Sequence, residues 1–221
     1  MEQLPYINEE FYVSQIAPEE LDLFLANGWR HFGEHFYRYS LNWYRDEIRA
    51  VIPLRIRLAD FSFSKSQRRV LNKNLDLQSV VRPIEITPET VSMFEAHRFR
   101  FEENIPYSIY TFMSYEPATV PCEAFEMAAY QGKKLLAKSF FDVGKDSVSS
   151  IYGIFEPEIT ERSLGILTML LEIDFAIKNG KKFYYHGYAY EGNSFYDYKK
   201  RFRALERFNW NGGWEKWQSA V

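Results

Sequence analysis

Residues 162–180 read Arg162-Ser163-Leu164-Gly165-Ile166-Leu167-Thr168-Met169-Leu170-Leu171-Glu172-Ile173-Asp174-Phe175-Ala176-Ile177-Lys178-Asn179-Gly180. Leu164, Leu167 and Leu171, with Ile166, Leu170, Ile173 and Ile177, recur at helical spacing and form a wide apolar face. A helix is therefore predicted from about Ser163 to Lys178, ended by Asn179-Gly180. Upstream lie three β-rich runs, Glu123–Tyr130, Lys134–Asp142 and Ser147–Phe155. The turns Gln131-Gly132-Lys133 and Val143-Gly144-Lys145-Asp146 join them into an antiparallel meander. Downstream, Phe183–His186 reads as a short strand. A meander followed by strand–helix–strand gives a mixed sheet with one parallel crossover. The fold class is α+β with flanking helices, and a last helix is predicted over about Phe195–Arg207.

The first part of the chain is an α/β elaboration. Pro18 to Asn27 reads as a short helix followed by Gly28. A strand is predicted at His35–Tyr39, and Ile48–Leu58 is a β-rich run with alternation in Leu54-Arg55-Ile56-Arg57-Leu58. Ser64 or Ser66 can cap a helix through Gln67-Arg68-Arg69-Val70-Leu71, and Pro88 begins another that extends to about Glu103. Residues 1–83 form an N-terminal region and 84–221 a C-terminal one, expected to make one compact unit.

The chain has 221 residues, 46% of them hydrophobic and 18% aromatic, enough for one domain with a substantial core. The net charge is −3, so a globally basic nucleic-acid binder is excluded. Charge is segregated, however: Arg55–Arg82 carries seven basic and two acidic residues, while acids gather at Glu9–Asp22 and Glu85–Glu126. Cys122 is the only cysteine, which excludes an internal disulfide and a cysteine-rich metal or Fe–S site. Met1-Glu2-Gln3-Leu4-Pro5 has neither a basic region nor an apolar run, and no apolar stretch nears the length of a membrane span. A soluble cytoplasmic protein is expected, with monomer as the default because no heptad pattern is present.

Two stretches suggest a phosphate-bearing partner. The turn Arg162-Ser163-Leu164-Gly165 opens a helix whose free N–H groups can face a phosphate. The block Tyr198-Lys199-Lys200-Arg201-Phe202-Arg203-Ala204-Leu205-Glu206 interleaves cations with aromatics, as a nucleic-acid backbone and its bases require.

At these residues the chain resembles the aminoacyl-tRNA–protein transferases of the N-end rule pathway, the bacterial leucyl- and eukaryotic arginyl-type enzymes. The matching text is Gly28-Trp29-Arg30, Tyr37-Arg38, Ile52-Pro53-Leu54-Arg55-Ile56, Ser64-Lys65-Ser66-Gln67-Arg68-Arg69-Val70-Leu71, Ser149–Pro157, Arg162–Gly165, Gly187-Tyr188, Tyr198–Glu206 and Gly213-Trp214. The resemblance implies an acetyltransferase-like (GNAT) fold for the C-terminal half. It departs in places: the family's cysteine cluster is absent from Ser40–Ala50, its Pro in the last block is Ala204, and Ala189-Tyr190-Glu191 is atypical. Metal, haem or cluster chemistry attached to those cysteines is not carried over.

The implied reaction transfers Leu or Arg from charged tRNA to the α-amine of proteins beginning with Asp or Glu. The ester is already activated, so no cofactor is needed. The protein must position two reactants, accept a proton and stabilise an oxyanion. Arg162, Ser163, Leu164 and Gly165 are candidates for holding the donor, or else form an ordinary helix cap. Gln67, Arg68 and Arg69 would contact tRNA phosphate or an acidic acceptor side chain, and otherwise form a solvated face. Tyr198, Lys199, Arg201 and Arg203 would contact nucleic acid, or lie on an amphipathic helix with Phe202 and Leu205 buried.

Tyr152 and Tyr188 sit on or just beyond adjacent strands, where an acetyltransferase-like fold splays to take the acyl group. Their hydroxyls could orient the ester or relay a proton, or could simply be packed. Asp142 and Glu172 are possible proton acceptors, with Glu172 also placeable on the exposed side of its helix. His186 reads as a core or edge histidine rather than a base. Two other functions remain: an acyl-CoA acyltransferase holding pyrophosphate at Arg162–Gly165, and a non-catalytic module binding tRNA or acidic N-termini.

Overall fold

A computed structural model describes residues 4–101 and 105–218. In chain order its elements are β1 (Asn8–Tyr12), α1 (Pro18–Ala26), β2 (Arg30–Phe32), β3 (His35–Tyr39), β4 (Leu41–Tyr44), β5 (Glu47–Arg57) and α2 (Lys65–Lys73). There follow β6 (Gln78–Pro83), α3 (Pro88–Arg98), β7 (Ala124–Gln131), β8 (Lys134–Val143), β9 (Ser147–Phe155), α4 (Leu164–Lys178), β10 (Phe183–Tyr190), β11 (Leu205–Phe208) and β12 (Trp214–Lys216). The expected extension of α3 to Glu103 stops at Arg98, and Glu102 and Glu103 lie outside the described residues.

The main sheet is mixed, in the order β12-β11-β5-β10-β9-β8-β7-β6, with β4 paired to β5. The β7–β8–β9 meander is antiparallel, and α4 carries the chain across to β10, which runs parallel to β9. Strand β5 enters between β10 and β11, so residues from both halves of the sequence share one sheet. A smaller sheet, β1-β3-β2, forms a layer with α1.

Alternation along β10 assigns the faces. Tyr184 packs into the core under α4, with Leu170, Ile173 and Ile56, while Tyr185 joins Leu21, Leu25 and Phe36 of the N-terminal layer. Gly165 allows α4 to approach the sheet closely, because a Cβ there would meet the Phe155 ring at 2.7 Å. Among the described residues no helix is long and apolar enough to cross a membrane.

The predicted last helix is corrected. Phe195–Arg201 is a 3-10 helix started by the Ser194–Asp197 capping box, and Leu205–Phe208 is a strand. Ala204 sits at φ 53°, which breaks any helix between them. The gain is pairing: Leu205 lies opposite Ile56, and the buried Glu206 binds Arg55 at 2.7 Å and Arg57 at 2.6 Å. Phe202 and Leu205 are buried, as expected.

Beside α3, the fully buried Glu126 carboxylate accepts from Arg82 at 2.7 Å, Lys138 at 2.9 Å and the Glu85 N–H at 3.0 Å. Lys138 also donates to Thr90 at 2.9 Å, joining α3, β6, β7 and β8. Burial holds the Lys138 ammonium below its usual pKa in spite of Glu126. Replacing Glu126 with Leu strands that ammonium, and should cost about 3–5 kcal/mol in denaturant titration. Adding Lys138→Met should recover most of the loss, and no recovery would contradict the pairing.

Candidate functional site

β9 and β10 pair at only three positions, ending with Tyr185 opposite Ser149. Beyond that pair the strands part. Arg30, at the start of β2, fills the gap from the N-terminal layer. Its Nη1 donates to Ser149 Oγ at 2.9 Å and its Nη2 to the Ser150 carbonyl. From the other side Lys199 Nζ donates to the Tyr188 carbonyl at 3.2 Å. Two cations thus occupy carbonyls on strands whose ladder is interrupted.

The 3-10 spacing brings Lys199 there. Tyr196, Lys199 and Phe202 are three apart and turn inward together, with Nζ 5.2 Å from the Tyr196 ring centroid. Burial, helped by Arg30, pulls the Lys199 ammonium down to about 7. Gly187 faces both cations at φ 91°. A Cβ on it would lie 3.0 Å from Lys199 Nζ and 3.9 Å from Arg30 Nη2, so glycine serves both the backbone angle and the close approach.

The catalytic candidates divide. Tyr152 lies past the splay on β9, its ring stacked on Phe112 at 3.9 Å, and its buried hydroxyl has no partner among the described residues. The Tyr188 hydroxyl donates to the Gly28 carbonyl at 2.6 Å and so anchors the N-terminal layer. Asp142 is buried beneath that layer, 3.0 Å from His31 Nε2, and accepts from the Cys122 thiol at 3.6 Å.

Among the described residues His31, Cys122 and Asp142 form the group able to share a metal ion, with ligand atoms within 4.8 Å of one another. Their mutual contacts hold the cluster together, and burial pushes the Cys122 thiol up, away from the thiolate a metal prefers. His186 is a buried core histidine, as read. Burial, with Lys199 nearby, drives it down to about 3, and its Nε2 donates to the Lys199 carbonyl at 3.0 Å.

Glu172 points inward, not to the exposed side of α4. Burial pushes its carboxyl up to about 7, against the effect of the Ser139, Tyr184 and Ser150 hydroxyls around it. Tyr184 donates to Oε2 at 2.6 Å, and Oε1 has no partner among the described residues.

The basic candidates divide in the same way. Gln67 is buried and closes the capping box of α2, its Oε1 accepting from the Ser64 N–H at 2.8 Å. Arg68, Arg69, Arg201 and Arg203 are exposed. Arg203 donates to Ser62 Oγ at 3.1 Å, which brings the two basic blocks together, and Phe61, Phe63, Val70 and Tyr198 share one core.

Arg162 is held bidentately by Asp76 at 2.8 and 3.0 Å. Leu164 is buried, and Gly165 is required for packing against Phe155. Ser163 sits at φ 52° and its side chain makes no cap bond, so the first N–H groups of α4 lack that partner. A shallow groove of about 280 Å³ lies on the small sheet, lined by Asn8, Glu9, Glu10, Phe32, His35, Tyr37 and Tyr39.

Sequence reading missed Arg30 as a site residue. Its signal was an arginine inside the aromatic run that follows Gly28.

The family described as "Arginine-tRNA-protein transferase, C terminus" matches residues 82–209, and its N-terminal counterpart matches 4–69. An aspartate/glutamate leucyltransferase of Campylobacter jejuni is 27% identical over 85% of this chain and 81% of its own. One of Afipia carboxidovorans is 31% identical over 90% and 81%. The solved structure of FemX has a similar fold, with TM-score 0.54 and 9% identity over 86% of this chain and 66% of that one. The two family matches lie on either side of Val70–Val81, and together they take in Arg30 and the strands and 3-10 helix that gather around it. This chain belongs to the arginine-tRNA-protein transferase family.

Proposed function

We propose that this protein moves Leu or Arg from charged tRNA to the α-amine of proteins beginning with Asp or Glu, with the β9–β10 splay as the reaction site. The observation carrying the reading is the pair of strands held apart by Arg30, in a chain whose relatives are named leucyltransferases of aspartate and glutamate. The acetyltransferase-like reading of residues 84–221 fits the splay, with residues 1–83 supplying the layer that plugs it. Action as a cytoplasmic monomer is part of the same reading.

The amine attacks the ester carbonyl, an amide bond forms, and the bond to the tRNA 3′ oxygen breaks. The released hydroxyl takes up a proton. Most of the acceleration comes from positioning. The Tyr152 hydroxyl is assigned to the carbonyl oxygen as a hydrogen-bond donor. Glu172 is the proton acceptor, relayed by Ser150. The exposed Arg68, Arg69, Arg201 and Arg203 hold tRNA phosphates, and the uncapped start of α4 holds the phosphate nearest the ester.

The decisive assay mixes protein with tRNA carrying labelled Leu or Arg and with peptides beginning Asp, Glu, Lys or Ala. Label should enter the Asp and Glu peptides. No transfer from either donor by folded protein would refute the reading.

Two variants extend the test. Arg69→Ala with Arg201→Ala should raise KM for tRNA several-fold and lower the log–log salt slope by about one per charge removed, with peptide KM unchanged. An unchanged slope would exclude these residues from the interface. Because Glu172 must be ionised to accept a proton and titrates at about 7, kcat should rise with pH through that value. Glu172→Gln should abolish that limb, leaving the rise that belongs to the acceptor amine near pH ~8. A limb that survives the substitution would remove Glu172 from the mechanism.

A further inference from the structure

His31 lies in β2, Cys122 in the segment entering β7, and Asp142 near the end of β8. Three stretches distant in sequence thus bring an imidazole, a thiol and a carboxylate to one point, with ligand atoms within 4.8 Å of one another. Each is nearly closed to solvent: 3% of His31, 4% of Cys122 and 2% of Asp142 is exposed. The surrounding shell is apolar, built from Ile16, Leu21, Leu25 and Phe36. Polar groups buried there cost free energy unless something joins and neutralises them. The reaction at the splay uses none of the three.

The hydrogen bonds of the His31 ring do not balance. Its Nδ1 lies 2.9 Å from the Gly33 carbonyl, which only accepts, so Nδ1 carries the ring's hydrogen. Nε2 then turns a lone pair towards Asp142 Oδ2 at 3.0 Å, another acceptor when ionised. A further proton or a metal ion must sit between them. The Gly33 contact is the outer support that a metal-bound histidine receives: it fixes the tautomer and aims Nε2. Phe36, stacked on the imidazole at 4.6 Å, holds the ring plane. The other carboxylate oxygen takes the Cys122 thiol at 3.6 Å, so nitrogen, oxygen and sulfur face one another. Ligands around one tetrahedral ion stand about 3–4 Å apart. A histidine–carboxylate pair needs only two of these groups, and the third is the chain's one cysteine.

We propose that His31 Nε2, Cys122 Sγ and the Asp142 carboxylate bind one divalent cation of the zinc type, which ties β2 to β8 and to the entry of β7. Nitrogen, thiolate and carboxylate donors together suit zinc, whereas calcium and magnesium take oxygen. The ion displaces the proton between Nε2 and Oδ2 and the proton on sulfur, and both leave to solvent. Its two charges meet one on the carboxylate and one on the thiolate, so the filled site is neutral, as an apolar shell requires. Burial keeps the Cys122 thiol protonated while no cation is bound, and a cation on the sulfur reverses that balance. Closed to solvent, the ion is structural. It fixes β2 directly beside Arg30.

The test uses full-length protein without an affinity tag, stripped with a strong chelator and titrated with Co(II), then with Zn(II). Because Cys122 is the only thiol, a thiolate-to-cobalt charge-transfer band in the near ultraviolet reports on it alone. The band should saturate at one Co(II) per chain, with the strong visible absorption of tetrahedral cobalt, and Zn(II) should bleach it. Zn(II) at about a hundredfold excess over its Kd should raise the melting temperature by about 5 °C or more. Cys122→Ala leaves a small apolar side chain in the core. It should lose the band and weaken Zn(II) binding more than about a hundredfold, beyond what loss of an outer support costs.

Folded wild-type protein that takes up Co(II) without the band, or binds neither ion, would overturn the proposal and leave a buried histidine–carboxylate contact. Equal stabilisation of wild type and Cys122→Ala by Zn(II) would overturn it too. No step of the test depends on transfer, so its outcome is separate from that of the transferase reading.

Discussion

The architecture turns on one interruption of a hydrogen-bond ladder. Two parallel strands pair for three residues and then part, and carbonyls at the opening must find other donors. Arg30 supplies one from the N-terminal layer and Lys199 supplies another from a 3-10 turn some 170 residues away in sequence. These side chains do for the sheet what a neighbouring strand does elsewhere. Because each is cationic when protonated, the same solution brings positive charge to the point where the strands part.

That dependence explains the rest of the packing. The N-terminal layer must be fixed if Arg30 is to be fixed. Tyr188 donates to the Gly28 carbonyl at 2.6 Å, Trp214 Nε1 to the Ala26 carbonyl at 2.7 Å, and the Asp146 N–H to Asp22 at 2.7 Å. Three well-separated parts of the C-terminal half thereby grip α1 and the turn before β2. Between Leu41 and Arg57, β4 and β5 form a hairpin with Trp43 opposite Ile48 and Arg45 at φ 54°. The region is held by strand pairing and the Arg49–Glu47 contact at 2.6 Å.

The meander, the crossover helix and the parallel strand were legible, because turn residues and apolar periodicity are local signals. The insertion of β5 between β10 and β11 was not, since nothing within Ile48–Leu58 names its distant partners. The misread segment is instructive. Tyr198, Phe202 and Leu205 fit a 3.6-residue period, so 195–207 looked like one helix. The 3-10 geometry instead turns Tyr196, Lys199 and Phe202 inward. A run of cations read as one solvated or phosphate-facing surface therefore splits, with Lys199 turned to the Tyr188 carbonyl and Arg201 and Arg203 exposed. Gln67 shows the same limit: its basic neighbours are exposed, while its own side chain completes a cap.

The central claim is that the splay receives the activated amino acid. It is tested most directly by a crystal structure with an amide-linked aminoacyl-adenosine, which cannot be hydrolysed or transferred. The account predicts the carbonyl between β9 and β10, beyond the Ser149–Tyr185 pair and within reach of the Tyr152 hydroxyl. Density for the analogue in the groove between Phe32 and Tyr39, with Arg30 and Lys199 untouched and the splay closed, would contradict it.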